Sequence, residues 1–247
     1  MKLRVITPEI LDGLPPLEPS AERSRRDLRR IHSAMRTCSL IARSLQEARF
    51  PGRDSAPLRI LEIGAGDGHL MLNIAQRLYS RWPKVELTLL DRLDLVAPTT
   101  LAAYAALGWT ARPWVIDALQ WAAEREASKW DLVIANLFLH HFDDTQLTVL
   151  LSAIEARSRC FLAYEPRRSW VATAGSHLVG AIGANSVTRT DAVLSVAAGF
   201  RDAEISSLWP GHAARWTLKE HAAGLFSHCF LAKLRPCAPR DHHATRI

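Results

Sequence analysis

A glycine-rich turn between an apolar segment and an amphipathic segment constrains this chain more than any other feature of its sequence. Residues 58–63 predict a buried strand, Gly64, Gly66 and Gly68 follow at alternate positions, and a helix is predicted from His69 to Tyr79. Glycine has no Cβ, so it adopts positive φ values and lets a ligand approach the backbone. The helix adds the free N–H groups of its first turn. The strand–turn–helix unit therefore predicts an α/β fold with a ligand site at the end of the strand.

Strand-like and helix-like segments alternate through most of the remaining chain. Such alternation predicts parallel strands with helices on both faces. No clear helix separates the last two predicted strands, so we expect these two to pair antiparallel. The predicted fold is α/β, a Rossmann-like, seven-stranded, mostly parallel sheet with an antiparallel last strand and an N-terminal helical extension. Further strands are predicted near residues 85–90, 114–116, 131–135, 160–164, 203–208 and 227–234, and helices near residues 99–107, 118–126, 144–156, 169–182 and 191–198.

Acidic residues occupy the predicted ends of the second and third strands. Asp91, followed by Arg92, ends the second strand 23 residues after Gly68, and Asp117, followed by Ala118, ends the third. An acid at the end of the second strand can accept two hydrogen bonds from a ribose diol. Asp117 has a second interpretation, because an Asp at that place can cap the N-terminus of the following helix.

Read as E-x-G-x-G-x-G, residues 62–68 resemble motif I of class I S-adenosylmethionine-dependent methyltransferases. The likeness covers about residues 58–165, and it includes both strand-end acids and Asn136 at the end of the fourth strand. It implies an enzyme that binds S-adenosyl-L-methionine, with the cofactor's ribose at the acid after the second strand and its adenine at the acid after the third. The implied cofactor-binding residues are Glu62, Gly64, Ala65, Gly66, Gly68, Asp91, Arg92, Asp117, Ala118 and Asn136.

Two adjacent histidines follow the fourth strand, in the loop that lies beside the reactive methyl group in the resembled family. A neutral imidazole near pH 7 suits removal of a proton from a hydroxyl group, so His140 and His141 are the candidate catalytic bases. The alternative is a structural role in a polar loop. Asp143 or Asp144 is expected to cap the next helix, and the spacing of these acids and histidines matches no standard metal site. We therefore expect no metal.

The resemblance implies a small-molecule methyl acceptor. By analogy with the many small-molecule enzymes of this family, we expect O-methylation of a phenolic, quinone-like or polyketide-type compound, although a fold alone does not define a substrate. Whether oxygen, nitrogen or carbon is methylated stays open at this point, and so does the oligomeric state.

RNA is the main alternative acceptor, because residues 23–49 contain eight arginines and the net charge is +6. Against RNA, the fourth strand continues into Asn136-Leu-Phe-Leu and not into the Asn/Asp-Pro-Pro-aromatic sequence of amino-group nucleic-acid methyltransferases. A nicotinamide- or flavin-dependent oxidoreductase also uses glycines and a later acid, but its G-x-G-x-x-G spacing differs from the spacing here. A non-catalytic, cofactor-sensing scaffold is a third alternative.

The apolar residues fall in short segments, and none of these segments approaches the ~18 residues of a membrane-spanning helix. No apolar h-region follows Lys2 and Arg4, so no signal peptide is expected. The four cysteines form no CxxC pair. We therefore expect a cytoplasmic protein with no membrane span and no disulfide framework.

The chain is expected to have three regions. Its first 19 residues are Pro-rich and predict an extended arm, which an amphipathic helix from Ser20 to about Ala48 follows. The apolar stripe of this helix must be buried, and the helix is either a lid over the acceptor pocket or a plain packing helix on the sheet. The regions are the arm and helix (residues 1–55), the methyltransferase domain (residues 56–236) and a basic flexible tail (residues 237–247).

Overall fold

The central element of the fold is a seven-stranded sheet. A computed structural model describes residues 3–47, 56–124 and 128–235 of the chain. The strands are β1 (Leu58–Ile63), β2 (Val85–Asp91), β3 (Trp109–Val115), β4 (Leu132–Asn136), β5 (Cys160–Pro166), β6 (Trp216–Ala223) and β7 (Ser227–Leu234). Their spatial order is β3-β2-β1-β4-β5-β7-β6, in which the first five are parallel and β7 is antiparallel to both neighbours. This confirms the predicted Rossmann-like sheet with an antiparallel last strand.

Helices cover the two faces of this sheet. Within the described residues, no helix is both long and apolar enough to cross a membrane. The part of the chain that the structure describes also contains two short 3₁₀ segments, at Leu139–His141 and Val179–Ile182. The α-helices are α1 (Ile10–Gly13), α2 (Pro19–Ala34), α3 (Thr37–Glu47), α4 (His69–Leu78), α5 (Pro98–Ala106), α6 (Ala118–Ala123), α7 (Asp144–Arg157), α8 (Trp170–Leu178), α9 (Ser186–Ala198) and α10 (Glu204–Leu208).

Strand β1 is buried on both faces and lies where the strand order reverses. Its Ile60 joins the apolar core on one face of the sheet, while Leu61 and Ile63 join the core on the other face. Strands β2 and β4 flank β1 on either side. In open α/β sheets the crevice beyond the carboxyl ends of strands at such a reversal is the usual ligand site. The fold therefore brings the glycine-rich turn and the ends of β2 and β4 together.

The prediction of a strand near residues 203–208 is wrong. Helix α10 occupies this position, and β6 is the strand that pairs with β7. The carboxylate of Glu220 on β6 accepts hydrogen bonds from the backbone N–H groups of Ile205 (3.0 Å) and Ser206 (2.7 Å) in α10. The N–H groups of a first helical turn need such acceptors. The acceptor is up to 15 residues away in sequence, so local periodicity does not reveal it.

The single helix predicted from Ser20 to Ala48 is two helices, α2 and α3. Between them Arg36 has a φ of 55°, and a residue in this left-handed conformation ends a helix. Helix α3 buries Ile41 and Leu45 in the same core as α4, so it is a packing helix. The buried residues of α2 are small or polar instead, and the two halves of the predicted helix have different surroundings.

The N-terminal arm is not simply extended, because α1 interrupts it and the arm is bound along α9. The guanidinium group of Arg4 donates a hydrogen bond of 2.9 Å to the carbonyl oxygen of Ala198. The carboxylate of Asp191 on α9 accepts hydrogen bonds of 2.8 and 3.0 Å from the first two N–H groups of α1. The predicted boundary at residue 55 and the predicted tail lie outside the described residues.

Helix α3 is expected to contribute directly to stability. We predict that Leu45→Ala lowers the free energy of unfolding by about 2–5 kcal/mol, because Leu45 is 1% exposed and its truncation leaves a cavity. Urea denaturation followed by circular dichroism measures this change. Leu178→Ala is the matched control, since Leu178 is 66% exposed on α8 and its truncation is expected to change stability by less than about 0.5 kcal/mol. Equal effects of the two variants would contradict the packing role of α3.

Candidate functional site

The glycine-rich turn closes against the end of β2. Gly64, Gly66 and Gly68 have φ values of 71°, 55° and 73°, in the left-handed region that other residues adopt only at a cost. The Asp91 carboxylate accepts a hydrogen bond of 2.8 Å from the Gly66 N–H group. A Cβ atom placed on Gly66 would meet no described atom within 4 Å. This glycine therefore borders open space directly beside a carboxylate.

A second backbone hydrogen bond orients Asp91, because its Oδ1 also accepts a bond of 3.0 Å from the N–H group of Leu93. Its neighbour Arg92 turns to the N-terminal arm. The Arg92 guanidinium group donates a hydrogen bond to the carbonyl oxygen of Asp12 and lies 3.3 Å from the Asp12 carboxylate. The structure thus brings Asp91 to the glycine turn and uses Arg92 to bind the arm.

Two buried oxygen atoms at the ends of β1 and β4, Oε2 of Glu62 and Oδ1 of Asn136, lack a hydrogen-bond partner among the described residues. Burial, reinforced by the charges of Asp67 and Asp91, raises the pKa of Glu62 well above its usual value. Asn136 Nδ2 lies 3.4 Å from Nε2 of His32, whose pKa burial lowers to about 4, so this neutral imidazole can accept a hydrogen bond. Buried polar atoms without partners are costly. The two oxygens therefore suit a ligand that donates hydrogen bonds.

Asp117, which follows β3, caps the N-terminus of the next helix, as the second interpretation of this acid predicts. Oδ1 of Asp117 accepts hydrogen bonds from the N–H groups of Leu119 (2.8 Å) and Gln120 (3.2 Å) at the start of α6. Ala118 is buried in the core below it. Asp117 therefore fixes the beginning of α6, and its contact with a cofactor stays a prediction.

His140 is buried between two carboxylates. Its Nδ1 lies 2.8 Å from Oε2 of Glu165 at the end of β5, and its Nε2 lies 3.2 Å from Oε1 of Glu9 on the N-terminal arm. Glu165 also accepts hydrogen bonds of 2.9 to 3.3 Å from the backbone N–H groups of residues 138–140. A single buried carboxylate therefore holds both the loop after β4 and the ring of its first histidine.

His141 also contacts two carboxylates, with Nε2 3.6 Å from Oε1 of Glu9 and Nδ1 3.3 Å from Oδ2 of Asp12. Burial lowers the pKa of His141, but the hydrogen bonds and charges of Asp12 and Glu9 outweigh burial and raise this pKa to about 10. For Glu9, burial raises the pKa, and the hydrogen bonds from His140 and His141 outweigh it and hold the pKa far below its usual value. The His141 side chain is thus an imidazolium at neutral pH, which cannot accept a proton.

The arm carboxylates of this cluster were not predicted from the sequence. The contact between His140 and Glu9 joins residues 131 positions apart, and nothing periodic in the arm indicates where it binds. One signal was available, because Glu9 and Asp12 are the two acids in an otherwise apolar and Pro-rich stretch, residues 5–17.

Helix α2 lies over the carboxyl ends of the central strands. Arg29 on α2 forms an ion pair of 2.7 Å with Asp67 of the glycine turn, and His32 contacts Asn136 at the end of β4. A cavity of about 430 Å³ between α2 and α4 is lined in part by Arg29, His32 and Arg77. The N-terminal segment therefore covers the predicted site from one side with α2 and from another with the arm.

No protein-family model matches this chain, and no curated protein matches its sequence. Solved structures do match its fold. One is the plantazolicin methyltransferase BpumL in complex with SAH, at a TM-score of 0.63 and 14% identity over 89% of this chain and 92% of that chain.

Two further solved structures match the fold. A putative O-methyltransferase from Nostoc punctiforme PCC 73102 matches at a TM-score of 0.56 and 18% identity, over 91% of this chain and 64% of that chain. The magnesium protoporphyrin IX methyltransferase ChlM from Synechocystis PCC 6803, with bound SAH, matches at a TM-score of 0.51 and 14% identity, over 92% and 91%. At these identities the likeness establishes the fold, which is that of class I S-adenosylmethionine-dependent methyltransferases.

The geometry of the turn predicts that alanine is tolerated less well at Gly64 than at Gly66. Alanine at either Gly64 or Gly66 costs about 1–2 kcal/mol because of the left-handed backbone. A Cβ on Gly64 would in addition lie 2.3 Å from the Phe138 ring, and such overpacking adds about 1–3 kcal/mol. We therefore expect Gly64→Ala to lower the free energy of unfolding more than Gly66→Ala does, as measured by urea denaturation. Equal losses would show that Phe138 does not pack against Gly64.

Proposed function

We propose that this protein is an S-adenosylmethionine-dependent methyltransferase that acts on a small molecule. The observation that carries the proposal is the Asp91 carboxylate, held 2.8 Å from the Gly66 N–H group beside open space. It stands at the point of strand reversal where α/β sheets bind ligands. Solved structures of similar fold that contain SAH support the same cofactor here.

The described residues fit this cofactor in chemical terms. The Asp91 carboxylate can accept hydrogen bonds from a ribose diol. The unpartnered oxygens of Glu62 and Asn136 are acceptors, and the ammonium group of the cofactor's amino-acid end is a donor of suitable charge. A cation beside Glu62 favours its ionised form. When bound, the cofactor supplies an activated methyl group on a sulfonium, and the protein supplies binding, orientation and exclusion of water.

The acceptor is proposed to be a small molecule and the methylated atom an oxygen, in a phenolic, quinone-like or polyketide-type compound. A putative O-methyltransferase among the structural matches supports this choice. The arginines that suggested RNA are partly engaged within the protein. Arg25 binds the carbonyl oxygen of Pro16, Arg29 pairs with Asp67 and Arg30 pairs with Asp27. Fewer arginines of α2 are then available for phosphates, which favours the small-molecule acceptor.

The contacts of the two histidines argue against their predicted role as catalytic bases. Both ring nitrogens of His140 and of His141 lie 2.8 to 3.6 Å from carboxylate oxygens. In this arrangement neither imidazole offers a free lone pair to an acceptor. Proton removal by either histidine would therefore require that the arm carboxylates move away, and it remains a prediction.

Calorimetric titration with S-adenosylhomocysteine tests the cofactor proposal. We expect binding at a single site, and Asp91→Ala should weaken it at least about tenfold, because the hydrogen bonds to a charged acceptor are lost. Asp94→Ala is the matched control, since Asp94 is exposed three positions further on and should leave the affinity unchanged. Absence of both binding heat and a thermal shift with the unaltered protein would refute the proposal.

We also propose that α2, and not the whole N-terminal segment, is a lid over the bound cofactor. The segment divides at Arg36 into a core helix, α3, and a helix with mainly small and polar buried residues, α2. Contacts of α2 with the sheet end are polar, namely Arg29 with Asp67 and His32 with Asn136. Polar contacts of this kind can open without exposing an apolar core, as a lid requires.

Hydrogen exchange on the complete chain distinguishes a lid from fixed packing. We expect the amides of α2 to become more protected when S-adenosylhomocysteine is added, because the ligand supports the surface on which α2 lies. The amides of α3 serve as an internal control and should exchange slowly in both states. Slow exchange in α2 that is identical with and without the ligand would contradict the lid.

A further inference from the structure

Three side chains from two distant parts of the chain converge around one point next to the loop that follows β4. Glu9 comes from the N-terminal arm, and His140 and His141 come from the loop. One potential ligand atom of each lies within 4.8 Å of the others. We propose that these three residues bind a divalent transition-metal ion of the zinc type.

The two distances from Glu9 to the histidine nitrogens match those of a coordination shell. Oε1 of Glu9 lies 3.2 Å from Nε2 of His140 and 3.6 Å from Nε2 of His141. Nitrogen and oxygen atoms about 2.0–2.1 Å from a tetrahedral zinc ion are about 3.3 Å apart. Two histidines and one glutamate also form a known type of catalytic zinc site, in which the fourth position stays open.

The outer partners of both histidines support the same conclusion. A metal-binding histidine usually donates its other ring N–H group to a carboxylate, which fixes the tautomer and the ring orientation. Nδ1 of His140 faces Glu165 at 2.8 Å, and Nδ1 of His141 faces Asp12 at 3.3 Å. Each Nε2 atom is thereby directed at Glu9. The same outer arrangement on both rings is a second reason, besides the distances, to place a metal ion between the Nε2 atoms and Glu9.

The charge of the cluster also favours a cation. Glu9, Asp12 and Glu165 place three carboxylates around two imidazoles. Without a metal ion, His141 faces Glu9 as an imidazolium, and a divalent ion bound at Nε2 takes the place of the ring proton. Arg92 pairs with Asp12 and the charge of Arg4 acts on Glu165, while Glu9 faces the two Nε2 atoms.

The proposed metal site has an open side. His140 is 2% exposed, while Glu9 and His141 are 14% and 26% exposed, so a fourth ligand can approach next to the last two. A bound divalent ion lowers the pKa of a hydroxyl group that it contacts. This use of the ion rests on the proposed methyl transfer, in which the oxygen–methyl bond forms, the sulfur–methyl bond breaks and the hydroxyl proton passes to water. Metal binding itself does not depend on that proposal.

The test is a titration of the tag-free 247-residue chain with Zn²⁺ after treatment with a chelator. Residues 242 and 243 form the other adjacent histidine pair of the sequence, so the parent carries His242→Ala and His243→Ala. We expect calorimetry to detect saturable binding of one ion per chain. Loss of an outer partner costs about 10–100-fold in affinity, which is the effect expected for Asp12→Asn. Glu9→Gln and His141→Ala, which remove ligands, should weaken binding by more than about 100-fold.

Two controls make the outcome specific. His177→Ala on α8 and His212→Ala each remove an exposed histidine that is not a proposed ligand; both should keep the parent's affinity. Equal Zn²⁺ affinity of the parent and Glu9→Gln, or no saturable binding by the parent, would overturn the inference. S-adenosylhomocysteine binding is measured on the same samples. If it persists while Zn²⁺ binding is absent, only the metal site is refuted, and the opposite result refutes only the cofactor proposal.

Discussion

The buried carboxylate of Glu165 is the constraint on which the functional end of this sheet depends. It is fully buried at the end of β5, and a buried charge is stable only when it is paired and hydrogen-bonded. Three consecutive N–H groups of residues 138–140 and the ring of His140 supply those hydrogen bonds. The loop after β4 is therefore wrapped around this carboxylate. These hydrogen bonds fix the positions of both histidines. The arm binds to these histidines, so its binding site depends on Glu165 as well.

Three parts of the N-terminal segment, namely the arm, α2 and α3, contact the rest of the protein in different ways. Its arm carries the carboxylates of Glu9 and Asp12 to the histidine pair, and Arg92 at the end of β2 holds the arm from the other side. Helix α2 makes polar contacts above the glycine turn, whereas α3 is part of the apolar core. The two proposals thus concern separate parts of the segment, the lid in α2 and the metal ligand in the arm.

The sequence predicted the fold well wherever the determining interactions are local. The strand–turn–helix unit at residues 58–78 and the strands that follow it depend on apolar periodicity and on glycine conformation, and both are visible in a short window. Predictions failed where contacts between residues distant in sequence determine the local structure. Helix α10 depends on Glu220 of β6, and the break at Arg36 is a single left-handed residue in a continuous apolar pattern. The cluster around His140 needs Glu9, which no spacing in the loop indicates.

A crystal structure of the protein with S-adenosylhomocysteine would show whether the glycine turn binds the cofactor, because it locates the ligand relative to this turn. We expect the ribose hydroxyls on the Asp91 carboxylate and the amino-acid end within hydrogen-bonding distance of Glu62 Oε2 and Asn136 Oδ1. The sulfur atom should lie on the side of the sheet end where His140 and His141 lie. A ligand that binds away from Gly66 and Asp91, or a glycine turn that stays free of ligand at saturating concentration, would contradict the proposed cofactor site.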